Sequence, residues 1–294
     1  MPRTISAELV LDAKTQHGEG PVWHPVEHTL DWVDIMKGHI HRYDPRTNRE
    51  VVIEVGQPVG SIAPRRAGGY VVAVEEGFAI IERSGERRIV AHIDHDKPAR
   101  RMNDGRCDSA GRFWAGTMAY DFKTGAGALY RLDPDFTVTE MLAGVTISNG
   151  LDWTDDDRTM YYIDSMAHSV DAFEFDAHAG TISNRRRVVE VPSDPTSPTG
   201  STVPDGMTLD AQGFLWVAVY GASEVRRYSP DGLIDCVVTV PARAVTSCAF
   251  GGEDLSDLYI TSFIAFGDGR EPQAGALFRC RPGVNGRPTH LFAG

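Results

Sequence analysis

Residues 149–173 carry the pattern that decides the fold: Asn149-Gly150-Leu151-Asp152-Trp153, a turn, Thr159-Met160-Tyr161-Tyr162-Ile163, a second turn, then Ser169-Val170-Asp171-Ala172-Phe173. Short apolar or alternating runs closed by Gly, Asp, Asn or Ser read as strands. No long segment shows a 3.6-residue apolar period with helix caps. Working outward, the middle run recurs at 30–34, 70–74, 112–116, 214–218 and 257–261. From Trp32 through Val72, Trp114, Tyr162 and Trp216 to Ile260 the steps are 40, 42, 48, 54 and 44 residues. The third run recurs at 39–43, 78–82, 128–132, 224–228 and 276–280, and the first at 20–23, 105–108 and 206–210, with weaker copies near Gly60 and Ser247. A fourth run follows several of these, as at 51–55 and 236–240. Four short strands per repeat of roughly 45 residues, six times over, predict an all-β chain folded as a six-bladed β-propeller. A large β-sandwich is the alternative. Because every blade is needed for closure, 1–294 is read as a single domain, and the run 6–11 is expected to complete the last blade.

Equivalent positions of successive blades surround one central channel. The residue preceding each inner-strand glycine is then Glu19, Asp104, Asn149 or Asp205, far apart in sequence and predicted to converge. Carboxylates and an amide are hard oxygen donors suited to Ca²⁺, Mg²⁺, Mn²⁺ or an oxygen-bound Zn²⁺. The same dipeptides are also ordinary turn formers, and phase alone does not separate the two readings.

Five motifs in order carry a resemblance: Gly18-Glu19-Gly20-Pro21-Val22-Trp23, Arg101-Met102-Asn103-Asp104-Gly105, Trp114-Ala115-Gly116-Thr117-Met118, Ser148-Asn149-Gly150-Leu151 and Pro204-Asp205-Gly206-Met207. Together they resemble the regucalcin/gluconolactonase (senescence marker protein-30) family over essentially the whole chain. Residues 246–252 resemble its last blade. The resemblance implies one divalent cation, Ca²⁺ first with Zn²⁺, Mg²⁺ or Mn²⁺ as alternatives, held by Glu19, Asn149 and Asp205. It implies hydrolysis of a sugar lactone, with Asp205 as proton acceptor and donor, Arg101 and Asn103 binding substrate, and a further acidic substrate contact at Asp121. It favours Asn103 where the blade phase favours the adjacent Asp104; a one-residue slip in a loop would reconcile them. A non-catalytic Ca²⁺-binding regulatory propeller and a phosphotriesterase-like hydrolase are the alternative functions.

Composition narrows the field. With 41 acidic against 29 basic side chains the net charge is −12, which disfavours a nucleic-acid partner. No apolar run approaches the ~20 residues that span a bilayer. The opening Met1-Pro2-Arg3-Thr4-Ile5-Ser6 lacks the apolar core of a secretory leader. Cys107, Cys236, Cys248 and Cys280 form no C-x-x-C pair and read as buried free thiols of a cytoplasmic protein. The partner expected is thus a small lactone, with no nucleic acid or membrane, for a monomer or small homo-oligomer.

Other signals read as structural. The stretch His92-Ile93-Asp94-His95-Asp96 lacks a binuclear metal motif and reads as a solvated loop, whose Asp94 or Asp96 could instead pair Arg101. His39 and His41 read as surface, Arg185-Arg186-Arg187 as a solvated turn, and Asp155-Asp156-Asp157 as a β-turn. Trp23, Trp32, Trp114, Trp153 and Trp216 recur at one blade phase or another and are expected in the core. No G-x-S-x-G, H-E-x-x-H or P-loop occurs, which disfavours serine, zincin and nucleotide chemistry. The segments after Met118, at 192–204 and at 263–273 are expected to shape the pocket.

Overall fold

The computed structural model describes residues 2–93, 99–197, 200–264 and 271–294. Two N-terminal strands, β1 (Arg3–Ser6) and β2 (Glu8–Leu11), precede six repeating units. The first holds β3 (Gly18–His24), β4 (Thr29–Asp34), β5 (His39–Asp44) and β6 (Arg49–Glu54). The second holds β7 (Val59–Pro64), β8 (Tyr70–Val74), β9 (Gly77–Ile81) and β10 (Arg87–His92). In the third are β11 (Arg100–Cys107), β12 (Phe113–Ala119), β13 (Gly127–Leu132) and β14 (Val138–Val145). The fourth comprises β15 (Ser148–Trp153), β16 (Thr159–Asp164), β17 (Ser169–Asp176) and β18 (Thr181–Glu190). The fifth comprises β19 (Val203–Leu209), β20 (Leu215–Tyr220), β21 (Glu224–Tyr228) and β22 (Ile234–Thr239), and the sixth β23 (Val245–Gly251), β24 (Asp257–Ser262) and β25 (Leu277–Cys280). Within each unit successive strands pair antiparallel, so each is one blade of a six-bladed β-propeller.

Six hydrophobic clusters lie one between each pair of neighbouring blades, including blades six and one, where Tyr259 and Leu277 meet Trp23 and Trp32. Each blade therefore buries both faces. This explains why β4, β8, β12 and β24 are buried along their whole length instead of alternating inside and out. All five tryptophans are buried as expected. His41 is also buried, stacked on Trp32 at 5.0 Å and 2.6 Å from Glu50, so its reading as a surface residue is corrected: blade six packs on the face that carries Trp32. Arg185, Arg186 and Arg187 are exposed, but on the outer strand β18 and not in a turn. Residues 155–157 do form a turn, closed by the Asp157 amide on the Thr154 carbonyl at 3.0 Å. The four cysteines are buried and unpaired.

Ring closure uses more chain than the run 6–11. Strand β2 pairs antiparallel with β25 and supplies the fourth strand of blade six, as expected. Strand β1 adds parallel to β22 as a fifth strand of blade five, which the sequence reading did not foresee. The N-terminus thus clasps two blades at once. At the other end of the chain, Gly286 bridges Asp210 and Phe292 bridges Arg65, so the C-terminal segment crosses from blade five to blade two. The one helical element among the described residues is a single 3₁₀ turn, Ser165–Ala167, and no described helix is long and apolar enough to cross a membrane.

Candidate active site

The inner strands β3, β7, β11, β15, β19 and β23 each break register with their neighbour at the same level of the channel. A β-bulge of this kind turns a side chain out of the ladder and re-aims it. In β15 the unpaired residues are Asn149 and Gly150, in β19 Asp205 and Gly206, and in β11 Asn103 and Asp104. Glu19 is the last paired residue before the bulge of β3, where Gly20 has φ +53°, a left-handed backbone that glycine adopts without strain. Gly150 allows two blades to approach: a Cβ there would lie 2.6 Å from the Met207 nitrogen and 2.8 Å from the Asp205 carbonyl oxygen.

Glu19, Arg101, Asn103, Asn149 and Asp205 all face one cavity of about 230 Å³, joined by His17, Met118, Phe122, Ile147, Ser165, Val203, Tyr220, Thr246 and Phe263. The bulge also explains the one-residue conflict in blade three. There the glycine sits one position later relative to the bulge, so Asn103, and not Asp104, is the counterpart of Asn149 and Asp205. The slip lies within a strand, not a loop. Asp104 lines a second cavity of about 60 Å³ along the channel, with Arg106, Asp152, Arg287 and His290.

The cavity's polar residues are held in sequence. Arg101 Nη1 donates to the Met102 carbonyl at 3.1 Å and to Asn103 Oδ1 at 2.5 Å. Asn103 Nδ2 donates to Asn149 Oδ1 at 3.0 Å, and Asn149 Nδ2 to Ser165 Oγ at 2.8 Å. Two carboxylates brace the chain just before the candidate ligands. Asp34 accepts from the Gln16 and His17 amides at 2.7 and 3.0 Å, and Asp164 accepts from the Thr146 and Ile147 amides, each at 3.0 Å. Asp94 and Asp96, the alternative partners for Arg101, lie outside the described residues, as does His95.

Burial, then the charge of Asp205, then that of Asp104, push the Glu19 carboxyl well above its usual range. Asp205 is raised well above its range too, by burial and then by Asp104, while hydrogen bonds from Glu19 and Asn149 and the Arg101 charge oppose the rise. Two carboxyls in a dry site cannot both ionise cheaply. Burial lowers the Arg101 pKa against the pull of Glu19, Tyr120 and Asp205, and burial followed by Arg101 lowers that of His17 to about 3, leaving it neutral.

Among the described residues no group of three or more His, Cys, Asp or Glu is arranged to hold a metal. The donor set here is instead two carboxylates and an amide, with the charge repulsion just described. Hard oxygens whose ionisation needs a neighbouring positive charge fit a divalent cation of the calcium or magnesium type.

Asp121 departs from expectation. It is exposed, its Oδ1 accepts from the Lys123 amide at 3.1 Å, and the adjacent Phe122 lines the cavity instead. The sequence reading placed Phe122, Val203 and Phe263 in pocket-shaping segments and Thr246 in the last-blade motif, but did not single out His17, Ile147, Ser165 or Tyr220. Tyr220 ends β20 and Ser165 follows β16, so the upper ends of the second strands were the available signal.

The profile of the SMP-30/Gluconolactonase/LRE-like region matches residues 17–264. Regucalcin of Danio rerio is 40% identical over 300 residues, 99% of each chain. Among solved structures, the calcium-binding protein regucalcin from Agrobacterium tumefaciens superposes with a TM-score of 0.92 at 26% identity over 100% of both chains. A luciferin-regenerating enzyme superposes with a TM-score of 0.86 at 32% identity, over 96% of this chain and 97% of that one.

Proposed function

The chain belongs to the SMP-30/gluconolactonase/LRE-like family, and from that premise we propose that it is a cytoplasmic, cation-dependent hydrolase that opens a sugar lactone to the aldonic acid. The observation that carries the proposal is the convergence of Glu19, Asn149 and Asp205 with Arg101 and Asn103 on one cavity. Glu19, Asn149 and Asp205 would hold the cation. When bound, it supplies Lewis acidity that stabilises negative charge developing on the lactone carbonyl oxygen.

The remaining steps belong to the chain's own residues. Asp205, ionised in the loaded site, takes a proton from the attacking water and returns it to the departing ring oxygen. Water adds across the ring ester, the carbonyl carbon–oxygen bond opens, and the product is the hydroxy acid. Arg101 keeps part of its donor fork for a substrate hydroxyl or the nascent carboxylate. Asn103 fixes Asn149 and so the donor geometry.

The kinship to a calcium-binding regucalcin supports Ca²⁺ as the first cation to test, and supports a binding protein without turnover as the second reading. Arg101 favours the enzyme: only its Nη1 is engaged by Met102 and Asn103, which leaves donors of a buried guanidinium for a substrate beside the ligands. Asp205→Asn keeps an oxygen donor but removes the base. We expect kcat for an aldonolactone to fall by about 10²–10⁴ with an unchanged circular dichroism spectrum; undiminished turnover would refute the assignment of Asp205.

A further inference from the structure

We propose that the pocket prefers sugar lactones with an apolar end, deoxygenated or alkyl-substituted at carbons remote from the carbonyl, and that Phe122 is a specificity-determining residue at its mouth. The inference rests on the lactone-opening reading and narrows its substrate class. The cavity lining has two unlike components. Glu19, Arg101, Asn103, Asn149 and Asp205 supply charge and amides, whereas Met118, Phe122, Ile147, Val203 and Phe263 line it with carbon.

Two hydroxyls of the lining are already engaged beside the candidate ligands. Ser165 Oγ accepts from Asn149, and Thr246 Oγ1 donates to the Gly18 carbonyl at 2.6 Å. His17 packs its ring on Phe263 with centroids 4.6 Å apart, and Tyr220 also lies against Phe263. Asp121, the carboxylate that a polyhydroxylated substrate would use there, faces the Lys123 amide. A hydroxyl turned to Met118, Ile147, Val203 or Phe263 gives up water and gains no side-chain partner from them.

Phe122 supports the same conclusion independently. It is 63% exposed and sits at φ +57°, a left-handed backbone that bulky residues rarely adopt. An aromatic ring kept at such a position costs stability twice, through exposure and through strain, and such outliers cluster at functional sites.

The test is kcat/KM over one ring size, replacing the terminal hydroxymethyl of a hexonolactone by methyl, ethyl and propyl. We expect the methyl compound to exceed the hydroxymethyl one and each further methylene to add about fourfold. Phe122→Asn, which tolerates the left-handed backbone, should flatten that slope, and Phe122→Leu should restore most of it. Faster turnover of the hydroxymethyl lactone, or a flat series, overturns the proposal. Calorimetric binding of the matching non-hydrolysable cyclic ethers separates the two readings. Affinity that rises with the alkyl chain but no turnover of any lactone keeps the apolar subsite and defeats the hydrolase. Flat affinity with turnover defeats the subsite alone.

Discussion

The side-chain amide of Asn103 donates to Asn149 Oδ1 at 3.0 Å and to the Ser148 carbonyl at 2.7 Å, so a residue of blade three orients a candidate cation ligand of blade four. Arg101 in turn fixes which way the Asn103 amide points. Residues that aim a ligand govern affinity almost as strongly as the ligand itself.

Asn103→Ala should therefore weaken Ca²⁺ binding by about 10–100-fold as well as lowering kcat/KM. Asn103→Asp should be worse for the cation-free protein, because it sets an acceptor against Asn149 Oδ1. Titration calorimetry checks both. Intact cation affinity in Asn103→Ala would reduce Asn103 to a substrate contact.

Asp34 and Asp164 do the same from below, each bracing two backbone amides ahead of Glu19 and Asn149. Asp164→Ala strands the Thr146 and Ile147 amides and should cost about 2–4 kcal/mol in urea unfolding, with a parallel loss of cation affinity. Asp156→Ala, in an exposed turn, is the control and should stay within about 0.5 kcal/mol of the parent.

The raised pKa values of Glu19 and Asp205 have a signed consequence. Their folded values exceed the unfolded ones, so in chelated protein the stability they contribute is complete below about pH 4 and is lost as pH rises through the raised values. A bound cation takes the place of the protons. The increase in melting temperature on adding Ca²⁺ to chelated protein should accordingly be small near about pH 5 and grow toward about pH 8. A shift independent of pH would mean that the cation binds elsewhere.

Gly150→Ala tests the blade contact. Its Cβ would meet the Met207 nitrogen and the Asp205 carbonyl at under 3 Å, and relief requires blades four and five to separate. The expected cost is about 1–3 kcal/mol, visible in the urea midpoint, with activity reduced because Asp205 moves. An unchanged midpoint would show that the channel is looser than these distances imply.

Much of this was readable in the chain. Strands buried on both faces are short apolar runs, so the recurrence of Trp32, Trp114 and Trp216 revealed the blades and their phase. The same phase placed Glu19, Asn149 and Asp205 together, because closure of the ring brings equivalent positions to one axis. It misled at Asp104, since a bulge can start two residues before its glycine instead of one, and nothing in Asn103-Asp104-Gly105 marks where. Strand β1 was invisible because four residues carry no period and its partner lies 233 residues away, as in Ile5 against Val238. Asp121 lies off the cavity lining for a local reason: in a short turn an aspartate readily caps a nearby amide, here that of Lys123.

The central claim is that the cation held by Glu19, Asn149 and Asp205 serves lactone opening. Acid release from a panel of aldonolactones, followed with a pH indicator after chelation and after adding back Ca²⁺, Mg²⁺, Mn²⁺ or Zn²⁺, tests it most directly. The account predicts no turnover above background in chelated protein and restoration by at least one cation, with Ca²⁺ tested first. Full turnover in protein shown to be metal-free by elemental analysis, or none with any lactone and any cation, would contradict it.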